Sequence, residues 1–319
     1  MSLADIISVG KSSQEIRTLQ LSAVADSTGM LHVNDRTALS EILSAKRNGT
    51  LQKLDGWFPL KDAREAVNSA DADVIVDCTT TNYRDAQPSL DCMLAAIRKG
   101  MDVVTANKGP LALQMRLIMD EASKSGRSVK FGATVGGGTP FIDFGMMCSA
   151  GTEIRSMSGV LNGTTNYVLT RMGEGLSMQD ALAEAKDSGI AESDPANDLK
   201  GLDSAAKIVI LANSLTGAGF SMKDVAITGI EGVTVDSLAE ARRAGGQLRL
   251  VSTYDAALRA LSVSPLPVSI SDHINVSGMN NAVTYRTANG NEYTLIGAGA
   301  GVRETARAIL RDLLSLPRR

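Results

Sequence analysis

The chain has 319 residues, 44% of them hydrophobic and 21% charged, which is the composition of a folded protein long enough for two domains. Its formal net charge of -3, with basic residues scattered along the chain, gives no reason to expect nucleic acid or an anionic membrane as a partner. No apolar run approaches the roughly 20 residues of a membrane span. Three separated cysteines form neither a disulfide framework nor a zinc site, so we expect a cytoplasmic protein.

The first 134 residues alternate between segments with strand character and segments with helical spacing. The expected strands are 19–25, 74–77, 102–105 and 128–133. The expected helices are 36–47, 90–99 and 113–125. The last two helices end at Gly100 and Gly126, and glycine commonly terminates helices. This alternation predicts βαβ units and therefore an α/β fold with a Rossmann-like, doubly wound parallel sheet.

The start of this pattern is incomplete. Asp26 ends what would be the second strand of a dinucleotide-binding unit, but residues 3–17 contain one glycine, Gly10, and resemble a helix or linker. A first strand and its glycine-rich phosphate turn are therefore missing. Either they lie outside this sequence, or the protein has lost them. We favour the first explanation, because the remaining sheet pattern begins where the second strand would begin.

A glycine cluster at 136–138, followed by Pro140, breaks the alternation and marks a domain boundary. Beyond it, the expected strands are 153–161, 226–229, 248–254 and 258–265. The expected helices are 165–171, 177–188 and 203–215. This pattern predicts an α+β domain with an antiparallel or mixed sheet. A final helix at 304–316 is expected to return to the first domain, so the predicted domains are 1–134 with 295–319, and 135–294.

Polar motifs follow the predicted strands of the first domain. Asp26 is placed to hydrogen-bond the ribose hydroxyls of a dinucleotide, although Asp also ends strands as a turn residue. The segment 77–82 (DCTTTN) follows a buried strand, where ligands bind in open α/β folds, and fits a helix N-cap cluster equally well. Lys108, within TANKGP at 105–110, also follows a strand end. There it can contact a cofactor or polarise a substrate oxygen; the alternative is a solvated lysine.

The richest cluster of charged residues lies at 191–207 (AESDPANDLKGLDSAAK). Asp203 and Lys207 are four residues apart and therefore share one face of a helix. Because apolar residues follow Lys207, we expect this helix to be buried. Glu192, Asp198 and Asp203 then surround one ammonium group, an array that suits a substrate with its own amine and a lysine that acts as acid or base. The alternative is a solvated i,i+4 ion pair.

Six motifs resemble those of homoserine dehydrogenase, and they follow the order found in that family. They are VADSTG at 24–29, TANKGP at 105–110, ATVGGGTP at 133–140, GVLNGTTNYVL at 159–169, AESDPANDLKGLD…K at 191–207 and GAGAG at 297–301. The chain resembles the short form of the family, which has no C-terminal regulatory domain. The resemblance implies NAD- or NADP-dependent interconversion of L-homoserine and L-aspartate 4-semialdehyde, in the branch of metabolism that leads to threonine and methionine.

The resemblance also implies roles for individual residues. Lys207 is expected to exchange a proton with the substrate oxygen, with Asp203 and Lys108 beside it in the catalytic centre. The expected substrate-binding residues are Glu192, Asp198, Asp203 and Lys108. The expected cofactor-binding residues are Asp26, Ser27, Thr79, Thr80, Asn107, Lys108, Gly299 and Gly301. An ammonium group in a closed site would stabilise the alkoxide that develops during hydride transfer.

The choice between NAD and NADP stays open at the sequence level. The carboxylate of Asp26 favours NAD, because it repels a 2′-phosphate, whereas Arg36, Lys46 or Lys53 could accommodate NADP. The resemblance further implies a homodimer formed through the second domain and a structural Na⁺ or K⁺ ion. The family often carries a Glu cation ligand at the position of Gly132, and the remaining ligands would be the backbone carbonyls of Val135, Gly137 and Thr139.

Two other functions compete with this interpretation. One is a related oxidoreductase that acts on a different amino-acid semialdehyde. The other is a non-catalytic or truncated paralogue that dimerises and binds ligand without turnover. Retention of Lys108, Asp203 and Lys207 argues against the second, because a protein without catalysis has no need of these groups.

Overall fold

The computed structural model describes residues 19–34 and 38–317, which form two compact units. Unit 1 contains the described residues up to Thr134 and those from Val302 onward, and unit 2 runs from Val135 to Gly301. Among the described residues, no helix is both long and apolar enough to cross a membrane. The glycine-poor segment 3–17 and Arg36, which starts one predicted helix, lie outside the described residues.

The described part of unit 1 starts with two short strands, followed by a helix, a third short strand and an alternation of helices and strands. Its elements are β1 (Ala23–Asp26), β2 (Gly29–His32), α1 (Leu39–Arg47), β3 (Trp57–Phe58), α2 (Ala63–Ser69), β4 (Val74–Asp77), α3 (Ser89–Lys99), β5 (Asp102–Thr105), α4 (Lys108–Lys124) and β6 (Val129–Lys130). A 3₁₀ turn, Gly132–Thr134, follows β6. The predicted strand at 128–133 is therefore shorter than expected.

The parallel sheet of unit 1 is formed by β4, β5 and β6, in that order. The predicted bounds of β4 and β5 are confirmed, and Val103 and Val104 of β5 are completely buried. Helix α3 ends as predicted at Gly100, whose φ of 90° lies in the left-handed region that favours glycine. The predicted α/β class with a parallel, Rossmann-like sheet is thus confirmed.

The strand predicted at 19–25 differs from expectation in length and in partner. It forms only from Ala23, as β1, and pairs antiparallel with β2 in a separate sheet of order β1-β2-β3. The cause is local: Asp26 pairs with Gly29 across a two-residue turn, and the Asp26 carboxylate accepts hydrogen bonds from the backbone N and the hydroxyl of Thr28. The chain therefore folds back on itself directly after β1.

Helix α4 begins earlier than the predicted helix at 113–125. Asn107 is the cause, because its side-chain oxygen accepts a hydrogen bond from Gly109 N at 3.0 Å and so caps the helix. Lys108 is therefore the first residue of a helix rather than part of a loop.

Unit 2 contains one large sheet, with helices before and between its strands. Its elements are α5 (Phe141–Cys148), β7 (Ile154–Val160), α6 (Gly163–Gly173), α7 (Met178–Asp187), α8 (Ala196–Leu199), α9 (Leu202–Thr216), β8 (Val225–Ile227), α10 (Val235–Arg243), β9 (Gly246–Asp255), β10 (Ala260–Ser269), β11 (Asn280–Thr287) and β12 (Glu292–Ala298). The chain then returns to unit 1 with α11 (Val302–Leu314). The predicted return at residue 295 falls within β12.

The sheet of unit 2 has six strands in the order β12-β11-β7-β9-β10-β8. Strands β8 and β10 are parallel and the other neighbours are antiparallel, so the mixed sheet is confirmed. Helix α9 packs against β9 and β10. Buried apolar side chains from four strands and the segment before β11 form a cluster; they are Val160, Val251, Val268, Ile274, Val276 and Ala282.

A line of hydroxyl side chains crosses the same face of this sheet. Its members are direct cross-strand neighbours, and we call them the hydroxyl row: Thr294, Thr284, Ser158, Thr253 and Ser262. Two pairs within the row are hydrogen-bonded at 2.7 Å, Thr284 with Thr294 and Thr253 with Ser262. All members except Thr284 are partly exposed.

Candidate active site

Lys207 is a buried lysine in the middle of α9. Its residue is only 6% exposed, and its Nζ lies 2.7 Å from Asp203 Oδ2. The same Nζ donates a hydrogen bond to the carbonyl of Leu161, just past β7, at 2.6 Å. Because Asp203 is also buried, the pair is not the solvated i,i+4 pair that was the alternative. An ammonium has three N–H donors, and its contacts with described residues use two of them, so one donor remains.

Asn162 links Asp203 to Asp198. Its Nδ2 donates to Asp198 Oδ1 at 2.7 Å and to Asp203 Oδ2 at 2.8 Å. Its Oδ1 accepts from Thr165 N at 2.8 Å and so caps α6. Sequence reasoning missed this residue, although it lies in the motif GVLNGTTNYVL. An Asn immediately before a helix is an N-cap signal and could have identified it.

We call Lys207, Asp203, Asp198 and Asn162 the lysine cluster. Three of the four were predicted as site residues, and hydrogen bonds and the ion pair bring them together in unit 2. Glu192 behaves differently: it is exposed in the segment before α8, and within the described residues no hydrogen bond or ion pair joins it to the cluster. Its predicted role in substrate binding stays a prediction.

The carboxyl group of Asp198 has a raised pKa. Burial is the main cause, and the nearby carboxylate of Asp203 adds to it, while the hydrogen bond from Asn162 opposes it. The charge of Lys207 also opposes the rise, but it does not cancel the effect of burial and of Asp203. The lysine cluster is therefore suited to a cationic group, such as a substrate amine, that would relieve the repulsion.

We expect Asp198→Asn to raise the free energy of unfolding at neutral pH and to change it little in acid. A carboxyl whose pKa is raised on folding binds protons more tightly in the folded state, so stability falls as pH rises through the folded-state pKa. The amide removes this penalty, and its oxygen can still accept from Asn162. Urea denaturation at several pH values measures the effect; an equal change at every pH would contradict it.

In unit 1, polar side chains collect at the carboxyl ends of β4 and β5. Asp77 accepts hydrogen bonds from the hydroxyls of Thr79, at 2.6 Å, and Ser89. Asn107 donates from Nδ2 to Thr79 Oγ1 at 3.0 Å and lies 3.4 Å from the carbonyl of Thr80. The predicted residues Thr79, Thr80 and Asn107 are thus in contact. Asp77, the centre of the network, was noted only as the start of its motif.

Thr79 and Thr80 are exposed at this edge, and Lys108 follows Asn107 as a half-buried residue. Hydroxyl, amide and carbonyl groups at the carboxyl ends of parallel strands are the donor and acceptor set that a dinucleotide requires in an open α/β sheet. The residues of this edge therefore fit a nicotinamide cofactor.

Asp26 forms an ion pair with Lys46 of α1. Partial burial alone would raise its pKa, but the hydrogen bonds from Lys46 and Thr28 outweigh burial and lower the pKa to about 2. The carboxylate is therefore charged at any pH at which the protein would work. Ser27 lies beside it in the exposed turn between β1 and β2.

Gly299 follows β12 in tight contact with a buried amide. A Cβ atom at this position would lie 2.2 Å from Asn281 Cγ, so only glycine fits. Gly301 has a φ of 143°, which also favours glycine. Local structure therefore explains why both positions are glycine. Their predicted contact with the cofactor stays a prediction.

The loop that contains Val135, Gly137 and Thr139 precedes α5. Thr139 N donates to the carbonyl of Gly136 at 2.9 Å, and the carbonyl of Thr139 accepts from Phe141 N at 2.9 Å. At Gly132, in unit 1, the carboxylate of Asp312 accepts from the backbone N at 2.7 Å. A Cβ at position 132 would lie 2.9 Å from Asp312 Oδ1, so a glutamate there would have to displace the Asp312 carboxylate.

Comparison with known proteins defines the class of the chain first. Residues 3–132 match the family model of the NAD-binding domain of homoserine dehydrogenase, so the chain is an NAD(P)-binding oxidoreductase. Residues 140–314 match the model of homoserine dehydrogenase itself. With these two matches, the chain belongs to the homoserine dehydrogenase family.

Individual relatives agree with the family models. The chain is 39% identical to the homoserine dehydrogenase of Methanocaldococcus jannaschii, over 92% of this chain and 88% of the relative. It is 33% identical to the NAD(+)-dependent homoserine dehydrogenase of Pseudomonas canavaninivorans, over 89% and 82% of the two chains. A solved homoserine dehydrogenase of a hyperthermophilic archaeon, in complex with NADPH, superimposes with a TM-score of 0.83 at 27% identity, covering 97% of this chain and 92% of that one.

Proposed function

We propose that this protein catalyses the NAD(P)-dependent interconversion of L-homoserine and L-aspartate 4-semialdehyde, in the branch that leads to threonine and methionine. The observation that carries the proposal is the buried ion pair of Lys207 and Asp203, with one N–H of Lys207 left for a substrate oxygen. Family membership supplies the reaction, and the lysine cluster supplies groups that can perform it.

Lys207 is the acid/base of the proposed reaction. When the aldehyde is reduced, the ammonium of Lys207 donates a proton to the aldehyde oxygen, which becomes the hydroxyl of L-homoserine. When L-homoserine is oxidised, the amine of Lys207 accepts the proton of that hydroxyl. When bound, the nicotinamide accepts or donates the hydride. The positive charge of Lys207 stabilises the oxygen while negative charge develops on it, and burial strengthens this interaction.

The carboxylates of the cluster bind and orient the substrate. Asp203 and Asp198 attract its ammonium group and hydroxyl, and Glu192 is proposed to join them. Lys108 is proposed to contact both substrate and cofactor from the start of α4. The proposed cofactor contacts are Asp26, Ser27, Thr79, Thr80, Asn107, Lys108, Gly299 and Gly301. Unit 1 is accordingly proposed as the nucleotide-binding domain, and unit 2 as the domain for substrate binding and dimerisation.

The test is the absorbance change at 340 nm when the protein is mixed with L-homoserine and either NAD or NADP. We expect reduction of at least one cofactor, and oxidation of that reduced cofactor with L-aspartate 4-semialdehyde. Other amino-acid alcohols, such as L-serine, serve as substrate controls. Binding of cofactor and L-homoserine without turnover would favour the non-catalytic alternative, and faster turnover of another amino alcohol would favour a related oxidoreductase.

Cofactor preference should depend on Asp26 and Lys46, which pair at the end of β1. One relative is NAD(+)-dependent and another was solved with NADPH, so both cofactors are tested. We expect Lys46→Gln to raise the KM for NADP about tenfold more than the KM for NAD, which corresponds to ~1.4 kcal/mol. Asp26→Asn should raise the KM for NAD and leave that for NADP the same or lower. Lys61→Ala, at another exposed lysine, is the control; equal effects on both cofactors would contradict the assignment.

A structural Na⁺ or K⁺ ion is proposed at the loop before α5, with the carbonyls of Val135, Gly137 and Thr139 as ligands. A carbonyl oxygen has two lone pairs, so Thr139 can bind an ion while it accepts from Phe141 N. Replacing both ions by tetramethylammonium should lower the melting temperature reversibly. An unchanged melting temperature would remove this ion from the proposal.

We further propose a cytoplasmic homodimer that forms through unit 2. The hydroxyl row is mostly partly exposed and the neighbouring Ile296 is 49% exposed, so this face of the sheet is available to a second copy. Thr253→Arg, within the row, should convert the dimer to a monomer, because it places a charge and a large side chain in the interface. Light scattering after gel filtration measures this, with the exposed Arg155→Lys as control; a variant that stays dimeric would place the interface elsewhere.

The cytoplasmic location rests on three free cysteines.

A further inference from the structure

Arg249 is a fully buried arginine without an anionic partner among the described residues. It lies in β9, on the face of the sheet that carries the hydroxyl row, and is only 1% exposed. Its Nε donates to Asn275 Oδ1 at 3.0 Å, its Nη1 to Thr170 Oγ1 at 2.9 Å and its Nη2 to the side-chain oxygen of Gln247. All three acceptors are uncharged. Burial lowers the pKa of Arg249 to about 10.

A buried charge of this kind is costly to the fold unless an opposite charge approaches it. Within the part of the chain that the structure describes, no carboxylate forms an ion pair with Arg249. Glu174, which directly follows α6, is engaged with Arg171 instead. Arginine has five N–H donors, of which the three contacts use three, so two N–H groups remain.

Arg249 lines a cavity of about 160 Å³ between the end of α6, α10 and the start of β9. Leu169, Leu238 and Leu248 give the cavity an apolar wall, and Glu174 and Arg242 contribute charged groups. A water molecule occupies ~30 Å³ of liquid, so the space is sufficient for a small organic molecule. None of the residues that line the cavity belongs to the lysine cluster.

We propose that this cavity is a binding site for a small aliphatic carboxylate, either a free acid or the carboxylate of an amino acid. Arg249 has one N–H left on Nη1 and one on Nη2, and carboxylates bind arginine through pairs of N–H groups of this kind. The leucines accommodate a short aliphatic chain. For an amino acid, the ammonium can be attracted by the second carboxylate oxygen of Glu174, whose Oε2 pairs with Arg171. This site is separate from the proposed active site and does not depend on its chemistry.

The test is calorimetric titration of the full chain with sodium butyrate and with L-norvaline, an acid and an amino acid that each carry a propyl chain. Inorganic phosphate tests for general anion binding, and butylamine tests whether an aliphatic chain binds without a carboxylate. We expect saturable binding of at least one carboxylate, and no comparable binding of phosphate or butylamine. Binding of butyrate alone identifies a free acid, and tighter binding of L-norvaline identifies an amino acid. Phosphate binding of equal strength, or no carboxylate binding, would overturn the proposal.

Two variants locate the binding. Arg249→Met keeps an unbranched side chain and removes the charge, so affinity should fall at least tenfold. Gly173 also lines the cavity, so Gly173→Leu places an apolar side chain in it and leaves Arg249 itself unchanged; a Cβ there would be 3.9 Å from its nearest neighbour, an Nη2 atom of Arg242. Arg155→Met, at an exposed arginine of β7, is the control and should bind as the parent does. Undiminished binding in Gly173→Leu and Arg249→Met, both folded by circular dichroism, would place the ligand elsewhere and overturn the proposal.

Discussion

Lys207→Ala should lower kcat for L-homoserine oxidation by about 10² to 10⁴-fold, the range that a positioned acid/base contributes. The physical reason is that this variant removes the buried ammonium group that lies against Asp203 and the carbonyl of Leu161. Because the interaction matters chiefly in the transition state, kcat/KM should fall by a similar factor and the KM for cofactor should change little. Steady-state kinetics at 340 nm provides both constants.

Two further variants separate loss of chemistry from loss of structure. Lys207→Gln retains hydrogen-bond donors for Asp203 and should be folded yet inactive. Lys200→Ala removes an exposed lysine just before α9 and should keep nearly full activity. If Lys207→Gln retained more than about a tenth of the parent activity, the loss would fall short of what a positioned acid/base contributes, and Lys207 would not have that role.

Asp203→Ala should lower the free energy of unfolding by about 3–5 kcal/mol, the usual result when one member of a buried ion pair is removed. Lys207 would then be a buried ammonium that keeps its hydrogen bond to the carbonyl of Leu161 but has lost its carboxylate. The double variant Asp203→Ala/Lys207→Ala should recover part of this loss, because it no longer buries an unpaired charge. Urea denaturation of the parent, the two single variants and the double variant measures the coupling.

The double variant also distinguishes stability from activity. It should be more stable than Asp203→Ala and still inactive, since it lacks both the proposed acid/base and one of the proposed substrate-binding carboxylates. If the stability losses of the two single variants summed to the loss of the double variant, the two residues would not interact in solution. That result would also remove the main support for the proposed active site.

Much of the parallel part of unit 1 could be predicted, because its strands are short apolar runs between polar residues. For β4 and β5 the predicted and observed bounds agree. The start of unit 1 could not be predicted as well, since β2 and β3 have four and two residues and carry too few side chains to establish a period. A strand that precedes a tight turn can pair with the strand that follows the turn. The apolar run at 19–25 does not show whether it will pair in this way or join the parallel sheet.

A different limit explains the errors in unit 2, where strand length was not the problem. Strands β11 and β12 were not predicted, and β11 opens with two asparagines, residues that are uncommon in strands. The ion pair of Asp203 and Lys207 was predictable because helical spacing brings positions i and i+4 together. The contacts of Asn162 with Asp198 and Asp203 span 36 and 41 residues of sequence, and only the tertiary fold reveals them.

The contacts of Asn162 restrict which residues can occupy position 162. One planar amide caps a helix with its oxygen and holds two carboxylates with its nitrogen. An aspartate would cap the helix equally well but would bring a third negative charge against the other two. A serine or threonine would also cap the helix, but it offers one hydroxyl proton where two acceptors need donors. Glutamine has the same group on a longer chain and would displace it by one carbon–carbon bond. We therefore expect asparagine to be the only residue that is well tolerated at position 162. When a library that varies this codon is selected for activity, nearly all surviving clones should encode asparagine.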